Sequence, residues 1–241
     1  MQKYAVIVAG GSGSRMGGGI PKQFRTISSR PVVWWSMKAF HDEDPETRLI
    51  LVLPKDFISL WRDFFSTLPE EDRFPHETVA GGNSRTESVR NGLDLVDIEE
   101  SMVAVHDGAR PLVSPSTISK GWEAAQKLKA AIPVVPVIDS LRKIESRKKI
   151  DSPDSKEDLR LLRSVSVDRS DYVAVQTPQV FLSRLLKEAY AAAHEKNFTD
   201  DASVVESYGH PVALFEGDPE NIKITNPKDM AIAAILMGEN A

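Results

Sequence analysis

A glycine-rich segment with two cationic side chains lies near the start of the chain. Residues 10–22 read GGSGSRMGGGIPK, and six of the ten positions from Gly10 to Gly19 are glycine. Glycine lets the backbone come close to a ligand and turn its N–H groups towards an anion. Arg15 and Lys22 could neutralise a triphosphate and the charge that develops during phosphoryl or nucleotidyl transfer. The two cations favour an anion-binding loop over a flexible surface turn.

This loop matches neither of two common phosphate-binding motifs. The dinucleotide fingerprint requires the spacing G-x-G-x-x-G, but Gly11 and Gly13 are followed by Met16. A Walker loop ends in Gly-Lys-Ser or Gly-Lys-Thr, and the sequence contains neither tripeptide. The glycines therefore indicate a nucleotide site of another kind.

Two further polar segments follow strand-like runs. Residues 81–88 read GGNSRTES, in which Ser84 and Glu87 are spaced as a capping box. A helix N-terminus suits polar or anionic ligands, although an ordinary strand–helix turn is the simpler explanation from the residues alone. In the second segment, Asp107 could bind a metal or a substrate hydroxyl and Arg110 a phosphate. The two could also form a salt bridge within the turn, and one arrangement does not exclude the other.

Two segments in the last third of the chain allow both a purely structural and a functional interpretation. Residues 199–203, TDDAS, are most simply a helix cap with acidic first-turn residues. Lys223 stands between two isoleucines in a predicted strand, so its side chain should face away from them, towards solvent or a ligand.

The elements that must position these residues form an α/β pattern. The apolar runs are short, branched and continuous, as in strands buried on both faces of a parallel sheet. Helix start signals separate them, among them Ser114-Pro115 and Asn226-Pro227. The sequence predicts a mostly parallel twisted sheet with helices on both faces. The predicted strands are Tyr4–Ala9, Leu49–Leu53, Met102–Val105, Ile132–Val137, Tyr172–Val175 and Val212–Phe215.

Composition narrows the class of protein. The 241 residues carry 30 Lys and Arg against 35 Asp and Glu, a net charge of −5, so no nucleic-acid partner is expected. The absence of cysteine excludes zinc fingers, iron–sulfur clusters and thiol nucleophiles. No apolar stretch is long enough to cross a bilayer, and no signal peptide is evident, so we expect a cytoplasmic protein without a membrane partner.

We predict a single domain over residues 1–241. Within it, one charged segment interrupts the alternation of strands and helices. Thirteen of the 22 residues from Arg142 to Arg163 are charged, which excludes a buried strand. Composition alone is equally compatible with a solvated or disordered loop and with a protruding arm, such as a hairpin that packs on a partner subunit.

Several motifs together resemble those of the sugar-phosphate nucleotidyltransferase superfamily. The strongest is Gly-Ser-Gly-Ser-Arg-Met followed by Pro-Lys-Gln-Phe. Within the superfamily, the chain is most similar, over essentially its whole length, to the cytidylyltransferases of 2-C-methyl-D-erythritol 4-phosphate. The resemblance implies a Rossmann-like nucleotidyltransferase fold, Mg²⁺ as cofactor, and transfer of CMP from CTP to this polyol phosphate with release of pyrophosphate, a step of non-mevalonate isoprenoid biosynthesis.

The resemblance also implies roles for individual residues. Asn83 departs from the family pattern, since some relatives carry an acidic residue there, and Ser140 replaces the usual threonine. Four cations are implied in catalysis, namely Arg15 and Lys22 on the triphosphate and Arg169 and Lys223 on the acceptor phosphate. The implied substrate-binding residues are Ala9, Gly10, Gly11, Gly13, Gly81, Gly82, Ser88, Asp107, Arg110, Ser140, Thr177 and Thr199.

In this family the arms interlock two subunits. The resemblance therefore favours a homodimer formed through an arm at about residues 139–168. In such a dimer the neighbouring subunit could contribute part of each active site.

Two other functions compete with the implied one. A ribitol-5-phosphate cytidylyltransferase would share the glycine loop, but the short spacer Gly17–Ile20 favours methylerythritol phosphate. A catalytically silent CTP-binding protein would have no need to retain all four implied catalytic cations.

Overall fold

A computed structural model describes four stretches of the chain, residues 1–10, 24–146, 163–193 and 198–238. Four of the predicted site residues and the middle of the predicted arm therefore lie outside the described residues. These are Gly11, Gly13, Arg15 and Lys22, and residues 147–162.

An eight-stranded, mostly parallel sheet forms the centre of the described structure and confirms the predicted α/β fold. Its strand order is β10-β7-β11-β6-β1-β4-β5, and β12 pairs with β7. Strands β10 and β11 run antiparallel to their neighbours. The strands are β1 (Lys3–Val8), β2 (Thr26–Ile27), β3 (Arg30–Pro31), β4 (Arg48–Leu53), β5 (Glu77–Ala80), β6 (Met102–Asp107), β7 (Ala130–Pro136), β8 (Arg142–Ser146), β9 (Arg163–Ser166), β10 (Val173–Val175), β11 (Gln179–Leu182) and β12 (Ala213–Glu216).

The continuous apolar runs form strands because both faces of the sheet are covered. All six residues of β6 are buried, as are four of the six in β1. All six predicted runs contain strands, and the predicted ends agree with the observed ones to within two residues. The prediction is incomplete at β11, which inserts between β6 and β7. It is wrong at residues 221–225, which form no strand.

Helices cover the sheet, and three of them begin at the predicted caps Ser84, Ser114 and Asn226. The Ser84 hydroxyl accepts from the Glu87 N–H at 3.1 Å, but the Glu87 carboxylate accepts from the Asn83 N–H instead of closing the box on Ser84. Ser114 and Asn226 also cap helices as predicted. None of the described helices has the length and apolar character needed to span a bilayer. The helices are α1 (Val32–Glu43), α2 (Ile58–Thr67), α3 (Arg85–Leu93), α4 (Pro115–Leu128), α5 (Ser183–Ala192), α6 (Asp201–Ser207) and α7 (Pro227–Leu236).

The ends of the charged segment form a hairpin ladder separate from the main sheet. Strand β8 pairs antiparallel with β9, with Arg142 opposite Ser166. The apolar side chains of Ile144 and Val165 on these strands are exposed. The described ends of the segment are therefore paired strands and not an irregular loop.

Candidate active site

Several of the predicted site residues lie at the carboxyl edge of the sheet, where open α/β folds bind ligands. Gly10 follows β1, Gly81 follows β5, and Asp107 is the last residue of β6. Because β6, β1, β4 and β5 are parallel neighbours in that order, these strand ends lie at the same edge of the sheet.

Ser88 joins two of the glycine segments. A Cβ atom at Gly81 would lie 2.8 Å from Ser88 Oγ, and one at Gly10 would lie 3.1 Å from the same atom, so a side chain at either position would press on the Ser88 hydroxyl. Ser88 Oγ accepts from the Gly82 N–H at 3.1 Å and donates to the Ser84 carbonyl at 2.8 Å. Gly81, Gly82 and Ser88, which the resemblance implies in substrate binding, are therefore brought together, and the Ser88 hydroxyl fixes the loop.

Asp107 lies at the centre of three cationic side chains. Lys223 Nζ lies 2.8 Å from Asp107 Oδ2, and Arg110 Nε lies 3.5 Å from the same oxygen. Arg85 Nε faces the other oxygen, Oδ1, at 3.9 Å. The predicted pairing of Asp107 with Arg110 is confirmed, and it is one of three.

The charges in this cluster set the protonation state of Asp107. Burial alone would raise the pKa of the carboxyl group, but Lys223, Arg85 and Arg110 outweigh it and hold the pKa at about 2. Burial lowers the pKa of Arg110, while Asp107 opposes that shift. Three cations thus surround one permanent carboxylate. Because Arg85 is also paired with the carboxylate of Asp201, one positive charge is left over, which suits an anion.

A buried chain of hydrogen bonds holds the backbone of Asp107 in place. The Thr177 hydroxyl accepts from the Asp107 N–H at 3.1 Å and lies 3.1 Å from His106 Nδ1. His106 Nε2 lies 3.1 Å from the Arg110 carbonyl, so it carries the proton and Nδ1 accepts from Thr177. Burial lowers the pKa of His106 to about 4, which keeps the ring neutral. His106 packs within the fold, and Thr177 uses its hydroxyl to hold Asp107.

The segment that carries Lys223 is attached to the loop after β6. The Ile224 N–H donates to the Ala109 carbonyl at 2.8 Å, and Arg110 Nη1 donates to the Asn221 carbonyl at 2.7 Å. These bonds replace the predicted strand pairing. Ile224 is fully buried whereas the Lys223 side chain is 42% exposed, so the predicted outward orientation of the lysine is confirmed without the strand.

A buried ion pair that the sequence did not reveal joins two elements of the site. Arg85 Nη1 and Nη2 lie 3.0 and 2.6 Å from the two carboxylate oxygens of Asp201, which is fully buried. Tyr190 donates its hydroxyl to Asp201 Oδ1 at 2.6 Å. The 116 positions between Arg85 and Asp201 leave no local signal in the sequence.

The remaining predicted residues take three different positions. Thr199 is exposed just before α6, whose cap is Asp200, since the Asp200 carboxylate accepts from the Ser203 N–H at 3.1 Å. Ser140 and Arg169 are exposed at the base of the arm, where Arg169 Nη1 donates to the Ile138 carbonyl. Ala9 is 5% exposed, and its N–H donates to the Val52 carbonyl at 2.9 Å.

Comparisons with known proteins agree on one family. Residues 4–239 match the family model described as IspD: 2-C-methyl-D-erythritol 4-phosphate cytidylyltransferase. A protein of that name from Phocaeicola vulgatus is 44% identical over 237 residues, which are 98% of this chain and 100% of the relative. Another, from Bacteroides thetaiotaomicron, is 43% identical over 239 residues, again 98% of this chain and 100% of the relative.

Solved structures give the same result. The crystal structure of 2-C-methyl-D-erythritol 4-phosphate cytidylyltransferase from Thermus thermophilus is 32% identical, with a TM-score of 0.72 and 98% of both chains covered. The 4-diphosphocytidyl-2C-methyl-D-erythritol synthase of Anaerococcus prevotii is 25% identical, with a TM-score of 0.77 over 98% of both chains.

Proposed function

The chain belongs to the 2-C-methyl-D-erythritol 4-phosphate cytidylyltransferase family, and we propose that it transfers CMP from CTP to 2-C-methyl-D-erythritol 4-phosphate at the carboxyl edge of its sheet. The products are 4-diphosphocytidyl-2-C-methyl-D-erythritol and pyrophosphate. The observation that carries this assignment is the Asp107 cluster, an excess of fixed cations beside the glycine segments that converge on Ser88.

The reaction is an in-line substitution at the α-phosphorus of CTP. An oxygen of the acceptor phosphate forms the new P–O bond, and the bond from the α-phosphorus to the bridging oxygen of pyrophosphate breaks. The leaving pyrophosphate takes the electron pair. Because the nucleophile is already an anion, no strong base is required, and the enzyme contributes positioning and charge neutralisation.

The nucleotide side of the site combines the two glycine segments. Gly81, Gly82 and Ser88 are assigned to the cytosine, and their mutual contacts shape that loop before a ligand arrives. The Gly10 segment and its continuation take the triphosphate. Family resemblance assigns Arg15 and Lys22 to the phosphates and to the transition state.

The acceptor side is built around Asp107. Its carboxylate holds Lys223 and Arg110 in place, so these cations are oriented before the acceptor phosphate arrives. Lys223 and Arg169 are assigned to that phosphate. Ser140, Thr177 and Thr199 are assigned to the acceptor pocket, with Thr177 acting through its bond to the Asp107 N–H.

Magnesium is part of the proposal as an ion that accompanies the nucleotide. The described residues contain no group of three or more acidic or histidine side chains able to hold a metal, and three cations surround Asp107. The described residues of this site therefore do not suit a metal ion held by protein side chains alone. Mg²⁺ commonly binds through substrate phosphates with one or two carboxylates, which suits CTP as the main source of ligands.

We also propose a cytoplasmic homodimer formed through the arm, with no nucleic-acid or membrane partner. Its support is a set of exposed apolar side chains on the arm and at its base, which water disfavours in an isolated subunit. The net charge of −5 gives no general attraction for nucleic acid. The exposed side chains are Ile138, Ile144, Val165, Tyr172, Val173 and Val175.

Pyrophosphate release tests the proposed function. Purified protein with CTP and Mg²⁺ is assayed with 2-C-methyl-D-erythritol 4-phosphate, with ribitol 5-phosphate, and with no acceptor. We expect release with the first acceptor and little with the other two. Preference for ribitol 5-phosphate would overturn the acceptor assignment. No pyrophosphate release with either acceptor would favour a protein that binds CTP without catalysis.

A further inference from the structure

We propose that Arg85 is a positioning residue that fixes the distance between the nucleotide side and the acceptor side of the active site, acting through the buried carboxylate of Asp201. The inference rests on the proposed function, because it concerns the alignment of the two substrates. It assigns to Arg85 no contact with either of them.

Arg85 belongs to the nucleotide side by its place in the chain. It is the first residue of α3, directly after the cap residue Ser84. Ser88, which closes the glycine loop by accepting from the Gly82 N–H, lies on the same helix. Any movement of Arg85 relative to the sheet therefore moves the loop assigned to the cytosine.

Asp201 belongs to the acceptor side and is held rigidly. It is the first residue of α6, two positions after Thr199. Gln179 Oε1 accepts from the backbone N–H groups of Asp201 and Ala202 at 3.0 and 2.8 Å. Gln179 Nε2 donates to Asp200 Oδ2 at 3.0 Å, so strand β11 fixes the turn that presents Thr199.

The Arg85–Asp201 pair joins these two rigid groups with a defined geometry. Two parallel N–H···O bonds fix direction as well as distance, which a single contact does not. Burial acts to lower the pKa of Arg85, but Asp201 and Asp107 raise it above its ordinary value, so the charge is permanent. The remaining nitrogen, Nε, faces Asp107 at 3.9 Å and adds the acceptor-binding cluster to the same framework.

A second arginine on the same helix provides the control. Arg90 Nη2 donates to the Tyr190 carbonyl at 2.9 Å and so joins α3 to α5. This contact also links α3 to a second helix, but α5 presents no predicted site residue, whereas Asp201, the partner of Arg85, lies two positions after Thr199. Substitutions at Arg85 and Arg90 therefore separate alignment of the site from general packing of α3.

The central variant is Arg85→Lys, which keeps the charge and removes the paired geometry. Each half of the site still binds its own substrate, so KM for CTP and for the acceptor should stay within about threefold of wild type. Since small misplacements of reacting groups reduce rates steeply, kcat should fall by about 10- to 100-fold. Arg90→Lys should leave kcat within about twofold, because its carbonyl contact lies away from the site.

Two further measurements distinguish positioning from loss of folded enzyme. The stoichiometry of CTP binding by calorimetry gives the fraction of competent protein, by which kcat is corrected. If Arg85→Lys lacks full stoichiometry, Tyr190→Phe loosens the same Asp201 carboxylate more gently, and we expect corrected kcat to fall by about two- to fivefold with both KM values kept.

A double variant tests the route of the effect. If Arg85 acts through the turn that carries Thr199, the losses in kcat from Arg85→Lys and Thr199→Val should be less than multiplicative when combined. Multiplicative losses, an Arg85→Lys enzyme with wild-type corrected kcat, or an equal loss in Arg90→Lys would each overturn the inference. A wild-type protein that releases no pyrophosphate would overturn the proposed function as well, and so the two failures are distinguishable.

Discussion

At the scale of single residues, the candidate site depends on the surplus of positive charge around Asp107. Asp201 neutralises Arg85, and Asp107 cannot neutralise both Arg110 and Lys223, so one positive charge remains for an incoming phosphate. Asp107 nevertheless limits the mutual repulsion of the three side chains and sets their directions. The carboxylate thus organises cations for anionic substrates and has no need to take up a proton.

Replacing Lys223 tests the part of this cluster closest to solvent. Lys223→Gln removes one cation, while Asp107 keeps Arg85 and Arg110 as partners and the fold should persist. Loss of a charge-assisted contact to the acceptor phosphate is worth about 10- to 100-fold in kcat/KM for that substrate. KM for CTP should change by less than about threefold. Steady-state kinetics with each substrate varied measure both effects.

The matched control for this variant is Lys228→Gln, on the exposed first turn of α7. It should behave as wild type with either substrate. Equal losses in the two variants, or an unchanged kcat/KM in Lys223→Gln, would remove Lys223 from the acceptor side.

His106 gives a prediction about stability and pH. The folded protein holds its pKa at about 4, whereas an unfolded chain protonates histidine near pH 6.5. Its contribution to stability is therefore complete above about pH 6.5 and is lost as the pH falls towards 4, for a total of about 3 kcal/mol. Urea unfolding at several pH values should show a shallower decline in His106→Asn than in wild type. Parallel declines would contradict the assignment.

At the scale of elements, α4 ends in a conformation that its sequence does not favour. Lys129 caps this helix with φ of 68°, in the left-handed region, and its N–H donates to the Ala125 carbonyl at 2.7 Å. Glycine adopts this conformation without the steric penalty, so Lys129→Gly should raise the free energy of unfolding by about 0.5 to 1 kcal/mol.

Lys127, two positions earlier and within α4, supplies a control of opposite sign. Lys127→Gly should lower the free energy of unfolding by about 1 kcal/mol, because glycine weakens a helix interior. Denaturant unfolding of both variants gives the comparison. A decrease in stability in both would show that Lys129 is not strained.

The strands could be predicted because local sequence determines them, whereas their partners depend on distant residues. Continuous apolar runs marked β1, β4, β6 and β7. The insertion of β11 between β6 and β7 is a long-range choice with no local signal. For the same reason Asp107 and Arg110, three positions apart, were paired from the sequence, but Arg85 and Asp201 were not. At Lys223 the predicted strand is wrong, but the predicted orientation of the side chain is correct. Burial of the neighbouring Ile224 is enough to turn the lysine outwards, whether or not the segment is a strand.

At the scale of the whole molecule, the arm predicts an assembly. Ile144 on β8 is 47% exposed, and we expect sedimentation of the wild-type protein to show a dimer. Ile144→Asp places a charge in the proposed contact and should weaken the dimer by at least about tenfold, since a charge buried without a partner is costly.

The control for this variant is Leu128→Asp, at a similarly exposed apolar position at the end of α4. Its dimer should match that of wild type. A monomeric wild-type protein, or an Ile144→Asp protein that dimerises normally, would contradict assembly through the arm.

Two aspartates at opposite edges of the sheet provide the most direct test of where the chemistry occurs. Asp107 lies at the carboxyl edge, whereas Asp97 accepts from Arg48 Nη1 at 2.8 Å near the start of β4, at the other edge. We would measure pyrophosphate release by Asp107→Asn and Asp97→Asn together. We expect kcat/KM to fall by about 10- to 100-fold in the first and to stay within about twofold of wild type in the second. Wild-type activity in Asp107→Asn, with both variants folded, would contradict the placement of the active site at the Asp107 cluster.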